Sequence, residues 1–156
     1  MQILIRKATT NDVDQIRFLF RETVTFINSA DYKPEEIRVW ADCYKNVGSW
    51  VNKIADQHFL IATVDNSVVG FSSIADNGYL DFMYVHKDFQ RNGIAKKLLI
   101  EIEKYADSLP IKTIFSHVSK TARQFFETNR FIKSGEQINK VSNIEFVNSV
   151  MVKIIK

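Results

Sequence analysis

The chain has one cysteine, Cys43, so it can form no internal disulfide and no cysteine-based metal site. Its histidines, His58, His86 and His117, do not fall with Cys, Asp or Glu at metal-ligand spacing, and no metal centre is expected. Long hydrophobic runs are missing as well. Stretches such as Phe59 to Val64 are far too short to cross a bilayer, and Met1 to Ala8 lacks the apolar core of a signal peptide; the expectation is a cytoplasmic protein with no membrane partner. Basic side chains number 21 against 18 acidic ones, a net charge of +3 without a basic run. That balance argues against a nucleic-acid partner and leaves room for a small anionic ligand. No Ser/His/Asp or Cys/His constellation has the local context of a nucleophilic site. Repeats and inter-domain linkers are absent too, so residues 1–156 read as one domain, with a core to which phenylalanine contributes heavily.

The periodicity that is present alternates between helix and strand. Gln2 to Lys7 reads as a strand, and Thr9 to Asp12 supply caps for a helix whose stripe is Val13, Ile16, Phe20, Val24 and Ile27. Pro34 opens a second helix with Ile37, Trp40 and Ala41, and Gly48-Ser49 separate it from a short third one near Trp50. Phe59 to Val64, Val68 to Ser73 and Tyr79 to His86 read as adjacent antiparallel strands, turned at Asp65-Asn66-Ser67 and Asn77-Gly78. A long helix on Ile94, Leu98, Ile102 and Tyr105 follows, then a strand from Ile111 to Val118. Ser119 caps a short helix with Ala122, Phe125 and Phe126, and a strand pair, Phe131 to Val141 and Ile144 to Ile154, completes the chain. The fold class is α/β, or equivalently α+β: a mixed, largely antiparallel sheet with helices on both faces.

The stretch from Leu80 to Leu99 carries the chemistry. A strand apolar on both faces runs into a polar turn and then an amphipathic helix that begins at Asn92, Gly93 and Ile94. Unpaired N–H groups and the dipole at a helix start favour an anion, and Gly93 lets a phosphate approach without meeting a Cβ. Arg91, Lys96 and Lys97 add positive charge around the same turn. Gln90-Arg91-Asn92-Gly93-Ile94-Ala95 resembles the [Gln/Arg]-x-x-Gly-x-[Gly/Ala] signature of GCN5-related N-acetyltransferases (GNAT), at the strand-to-helix position where that family carries it. Ala122 to Phe131 is similar to the family's later Ala-x-x-x-Tyr-Glu-x-x-Gly-Phe segment.

The resemblance implies an acetyltransferase using acetyl-CoA as cosubstrate, with direct attack by an amine of a small molecule or peptide in a ternary complex. It implies that Gln90, Arg91, Asn92, Gly93, Ile94, Ala95 and Lys96 hold the pyrophosphate. It further implies that Met83, Tyr84 and Val85 pair through their backbone with the pantetheine arm. The family's tyrosine, the usual acid for the departing thiolate, corresponds to Phe126, and its glycine to Arg130. Tyr84 and Ser119 are substitute candidates, although Ser119 reads first as a helix cap. A second class of function therefore stands beside the enzyme: a degenerate CoA-binding module acting as sensor or interaction domain.

Asp81 sits among apolar strand neighbours, where an unpartnered carboxylate is costly. It reads as the base that takes the acceptor's proton, directly or through water, or as a structural carboxylate paired at a bulge or with a buried arginine. The acidic residue of some relatives falls at Tyr79. Tyr32, Trp40 and Trp50 occupy the helical insertion where relatives build the acceptor wall. The assembly is expected to be a monomer or homodimer.

Overall fold

A computed structural model describes residues 1–156. The chain runs through strand β1 (Leu4–Lys7) and three helices, α1 (Val13–Phe26), α2 (Pro34–Ala41) and α3 (Val47–Asp56), into strands β2 (His58–Val64), β3 (Ser67–Ile74) and β4 (Leu80–Val85). Helix α4 (Ile94–Asp107), strand β5 (Thr113–Val118), helix α5 (Arg123–Thr128) and the pair β6 (Ile132–Val141) and β7 (Ile144–Ile154) follow. The expected architecture holds, with the sheet divided in two. One sheet has the order β1-β2-β3-β4 and the other β5-β7-β6, every ladder being antiparallel. A single parallel bridge, Tyr79 to Phe115, joins them.

Local chemistry explains the connections. Asp65-Asn66 and Ser142-Asn143 all have positive φ, the backbone of the two-residue hairpin turns that match strand twist. Helix α3 begins three residues earlier than the sequence indicates, because the Asn46 side chain accepts a hydrogen bond from the Ser49 N–H at 3.2 Å and caps it. Gly48 and Ser49 thus lie inside the helix instead of separating two.

β2 is buried on both faces and divides the core. Phe59 and Ile61 face α1, α2 and α3, where they join Ile16, Phe20, Trp50 and Phe71. Leu60 and Ala62 face the opposite layer, with Ile94, Leu98 and Ile102 of α4. At roughly 1.5–3 kcal/mol per buried large side chain, these two clusters supply the principal driving force for the fold.

Candidate active site

β4 and β5 begin together and then part. Gly78 O accepts from the Phe115 N–H at 3.0 Å, and the Ser116 hydroxyl donates to Leu80 O at 2.7 Å. Beyond these contacts no ladder connects the strands. Gly78 has φ +95, and a Cβ there would stand 2.5 Å from Thr113 O, so the close approach that starts the fork requires glycine.

The register shows which backbone groups the fork exposes. The His86 N–H bonds to Val69 O, and the same β3–β4 register pairs Tyr84 with Phe71 and Phe82 with Ser73. Hydrogen-bonded pairs alternate in an antiparallel ladder, so Tyr84 spends its backbone groups on β3 while Met83 and Val85 turn theirs to the open edge. The Val85 carbonyl is already taken, by the Thr23 hydroxyl at 2.9 Å and the Gln90 amide at 2.7 Å. Of the three residues expected to pair through their backbone, Tyr84 is therefore corrected to a β3 partner. Met83 keeps both groups free, and Val85 keeps its N–H.

Past Val85 the chain turns. Gln90 also reaches His86 O, and Arg91 has φ +60. Gly93, at φ +77, is the N-cap of α4, and a Cβ on it would meet nothing within 4 Å. Space is thus open in front of the free N–H groups at the helix start. Gln90, Arg91, Gly93, Ile94, Ala95 and Lys96 all line the adjoining cleft of about 850 Å³. The Asn92 side chain donates to Gln90 O at 3.1 Å and closes the turn. Lys96 is engaged by Asn129 Oδ1 at 2.6 Å, which ties α4 to the end of α5.

The other half of the cleft is aromatic. Phe20, Trp40, Trp50, Tyr84 and Phe146 line it, Trp50 being also a core residue that stacks on Phe82. Tyr32 lies behind this wall, on Trp40 and Phe146, and its phenol oxygen accepts from the Lys120 N–H. Phe126 is buried between Phe125 and Phe131. Ser119 caps the following turn, its hydroxyl accepting from the Ala122 N–H at 3.2 Å.

Asp81 is the extra residue of a bulge, because Ser73 pairs with Phe82 while Ile74 pairs with Leu80. Its Oδ2 accepts from Lys53 Nζ at 2.5 Å and from Gln57 Nε2 at 2.9 Å. The structural alternative expected for Asp81 was a backbone partner at a bulge or a buried arginine; the bulge is present, and the partners are Lys53 and Gln57. Lys53 lies in the last turn of α3 and Gln57 is the C-cap that follows it, its N–H bonded to Lys53 O, a local proximity that does not say what the two side chains meet. Tyr79 packs on Phe115 and His117; burial first, and the charge of Asp81 second, push its phenol up to about 12. Burial raises the Tyr84 phenol further, against the lowering effect of a hydrogen bond with Trp40.

Residues 28–153 match the model of the acetyltransferase (GNAT) domain. The chain belongs to the GNAT acetyltransferase family. It is 29% identical over 149 residues to the uncharacterised N-acetyltransferase YafP of Escherichia coli strain K12, covering 96% of this chain and 94% of that one. A GCN5-related N-acetyltransferase from Rhodopseudomonas palustris superposes with a TM-score of 0.94 at 21% identity, over 99% of this chain and 96% of the other. PaiA N-acetyltransferase from Thermoplasma acidophilum, solved in complex with coenzyme A, does so with a TM-score of 0.78 at 23% identity, over 99% of both chains. At these identities the structural likeness speaks to the fold. As a GNAT acetyltransferase the chain is an acetyl-CoA-dependent enzyme. No three of the His, Cys, Asp and Glu side chains gather where they could hold a metal ion, and no helix is long and apolar enough to cross a membrane.

Proposed function

We propose that this GNAT acetyltransferase moves the acetyl group of acetyl-CoA onto a primary amine bound beside it in one ternary complex. The observation that carries this reading is the junction of two features in one cleft. An open strand edge at Met83 and Val85 leads into a helix start at Gly93 with clear space before it. An extended chain carrying amides suits the first, and a diphosphate suits the second. The coenzyme A bound by the PaiA relative is consistent with both.

Acetyl-CoA supplies an activated acyl carbon, and its C–S bond breaks as the amine nitrogen bonds to that carbon. The chain's own residues hold, orient and move protons. Asp81 keeps Oδ1 without a protein donor, since Lys53 and Gln57 both converge on Oδ2, and this oxygen takes the ammonium proton directly or through water. Tyr79 is no full acid for the thiolate. Transfer from a phenol near 12 to a thiolate whose thiol has a pKa of about 8.5 costs roughly 5 kcal/mol. A phenol or the Ser119 hydroxyl can instead donate a hydrogen bond to the developing thiolate, with solvent completing the protonation.

Phe126, which has no proton to give, supports the second reading of a CoA-binding module without turnover. The two are separated by incubating the protein with acetyl-CoA and a panel of polyamines, amino acids and peptides. Thiol release together with an acetylated amine in the mass spectrum is expected. Tight CoA binding with the thioester intact for every acceptor establishes the module instead.

A further inference from the structure

The charges around the acceptor half of the cleft are few and specific. Asp81 is the single carboxylate among the lining residues, and it is already paired with Lys53. The other lining cations, Arg91 and Lys96, belong to the turn at the start of α4. Within the cleft, an acceptor carrying only positive charge would therefore meet a neutralised carboxylate and the Lys53 ammonium, and no other counter-charge.

Each member of the pair nevertheless has capacity left. Lys53 has three N–H donors, of which one goes to Asp81, and its side chain is 39% exposed. Asp81 Oδ1 has no protein donor. Lys53 and Ser49 also border a second, wholly polar depression, lined by Asn46, Asn52, Gln57 and the carboxylate of Asp56. Buried Gln57 Oε1 has no partner. The ion pair thus stands between the aromatic chamber and a polar exterior.

We infer that Lys53 and Asp81 together recognise an acceptor that carries its own carboxylate next to the amine, an α-amino acid. The acid lies on the spare N–H groups of Lys53 and the ammonium on Asp81 Oδ1, with the side chain against Trp40, Trp50 and Phe146. Amine and acid one carbon apart match an ammonium and carboxylate in direct contact, so four alternating charges close on one another without breaking the existing pair. This inference rests on the proposed acetyl transfer and narrows its acceptor.

The test measures kcat/KM at saturating acetyl-CoA for free amino acids with aromatic or aliphatic side chains, for the α-carboxamide of each, and for linear diamines. The acid is expected to exceed its own carboxamide by at least tenfold. Lys53→Met should collapse that ratio towards one with CoA affinity unchanged, while Lys53→Arg should restore it. A carboxamide or diamine used as well as the acid, or a ratio untouched by Lys53→Met, overturns the inference and leaves the acetyl transfer standing. CoA binding with no turnover of any acceptor overturns both.

Discussion

Arg130 holds a backbone conformation that favours glycine, and replacing it should stabilise the protein. Helix α5 ends in a paired motif: the Phe131 N–H bonds to Phe126 O at 3.0 Å, and the Arg130 N–H to Glu127 O at 3.1 Å. Arg130 sits between them at φ +72, and the Phe131 ring contacts Phe126 edge-on, as the hydrophobic part of such a cap requires. The left-handed region costs a residue with a Cβ about 1–2 kcal/mol. Glycine removes that cost but gives the unfolded chain more freedom, worth about 0.4–1 kcal/mol in the opposite direction. Because the Arg130 side chain is exposed, little else is lost. Arg130→Gly should therefore gain about 0.5–1 kcal/mol, or roughly 2 °C in Tm for a chain of this length. Scanning calorimetry on wild type, Arg130→Gly and the control Arg130→Ala measures this. An unchanged or lower Tm in the glycine variant, or an equal rise in the alanine variant, refutes the reasoning.

Gly93→Ala should cost about 1 kcal/mol of stability, because φ is +77, and should weaken CoA binding at least tenfold by calorimetric titration. Alanine is the better probe than valine there, since a branched side chain adds strain at that φ. Gly78→Ala should destabilise by about 1–3 kcal/mol in urea unfolding, since its Cβ would clash with Thr113 O where the strands fork. Asp81→Asn should keep CoA affinity but slow turnover roughly a hundredfold at neutral pH, a loss that shrinks as alkaline pH delivers neutral amine. Its melting point should fall slightly, as the ion pair with half-exposed Lys53 is worth about 1 kcal/mol. The hydrogen bond from Arg6 holds the Asp12 carboxyl below its ordinary value. A lowered folded-state pKa stabilises above the unfolded value of about 3.9 and loses that contribution as pH falls through the folded one. In melting curves taken downward from about pH 6, Asp12→Asn should therefore show a shallower acid loss than wild type.

The fold was legible because its signals are local. The stripe of α1, the two-residue turns and the apolar runs of β2 and β3 each follow from adjacent residues. The turn from Gln90 to Ala95 follows from adjacent residues in the same way, Gly93 taking a positive φ and Asn92 closing on Gln90 O. The start of α3 was misplaced because a cap from Asn46 outweighed the breaking tendency of Gly48. Contacts made across the fold were not legible. Lys53 meets Asp81 from 28 positions away, and Tyr84 loses its free backbone groups to a register set at His86 and Val69.

The parted edge of β4 and the start of α4 are proposed to form one site for acetyl-CoA. Amide hydrogen exchange with and without CoA tests it most directly. Exchange should slow at Met83 and Val85, whose N–H groups face the open edge, and through Gly93, Ile94 and Ala95, while Tyr84, already bonded to β3, should change little. Protection elsewhere in the chain, with Met83, Val85 and the α4 start unchanged while CoA is bound, would contradict it.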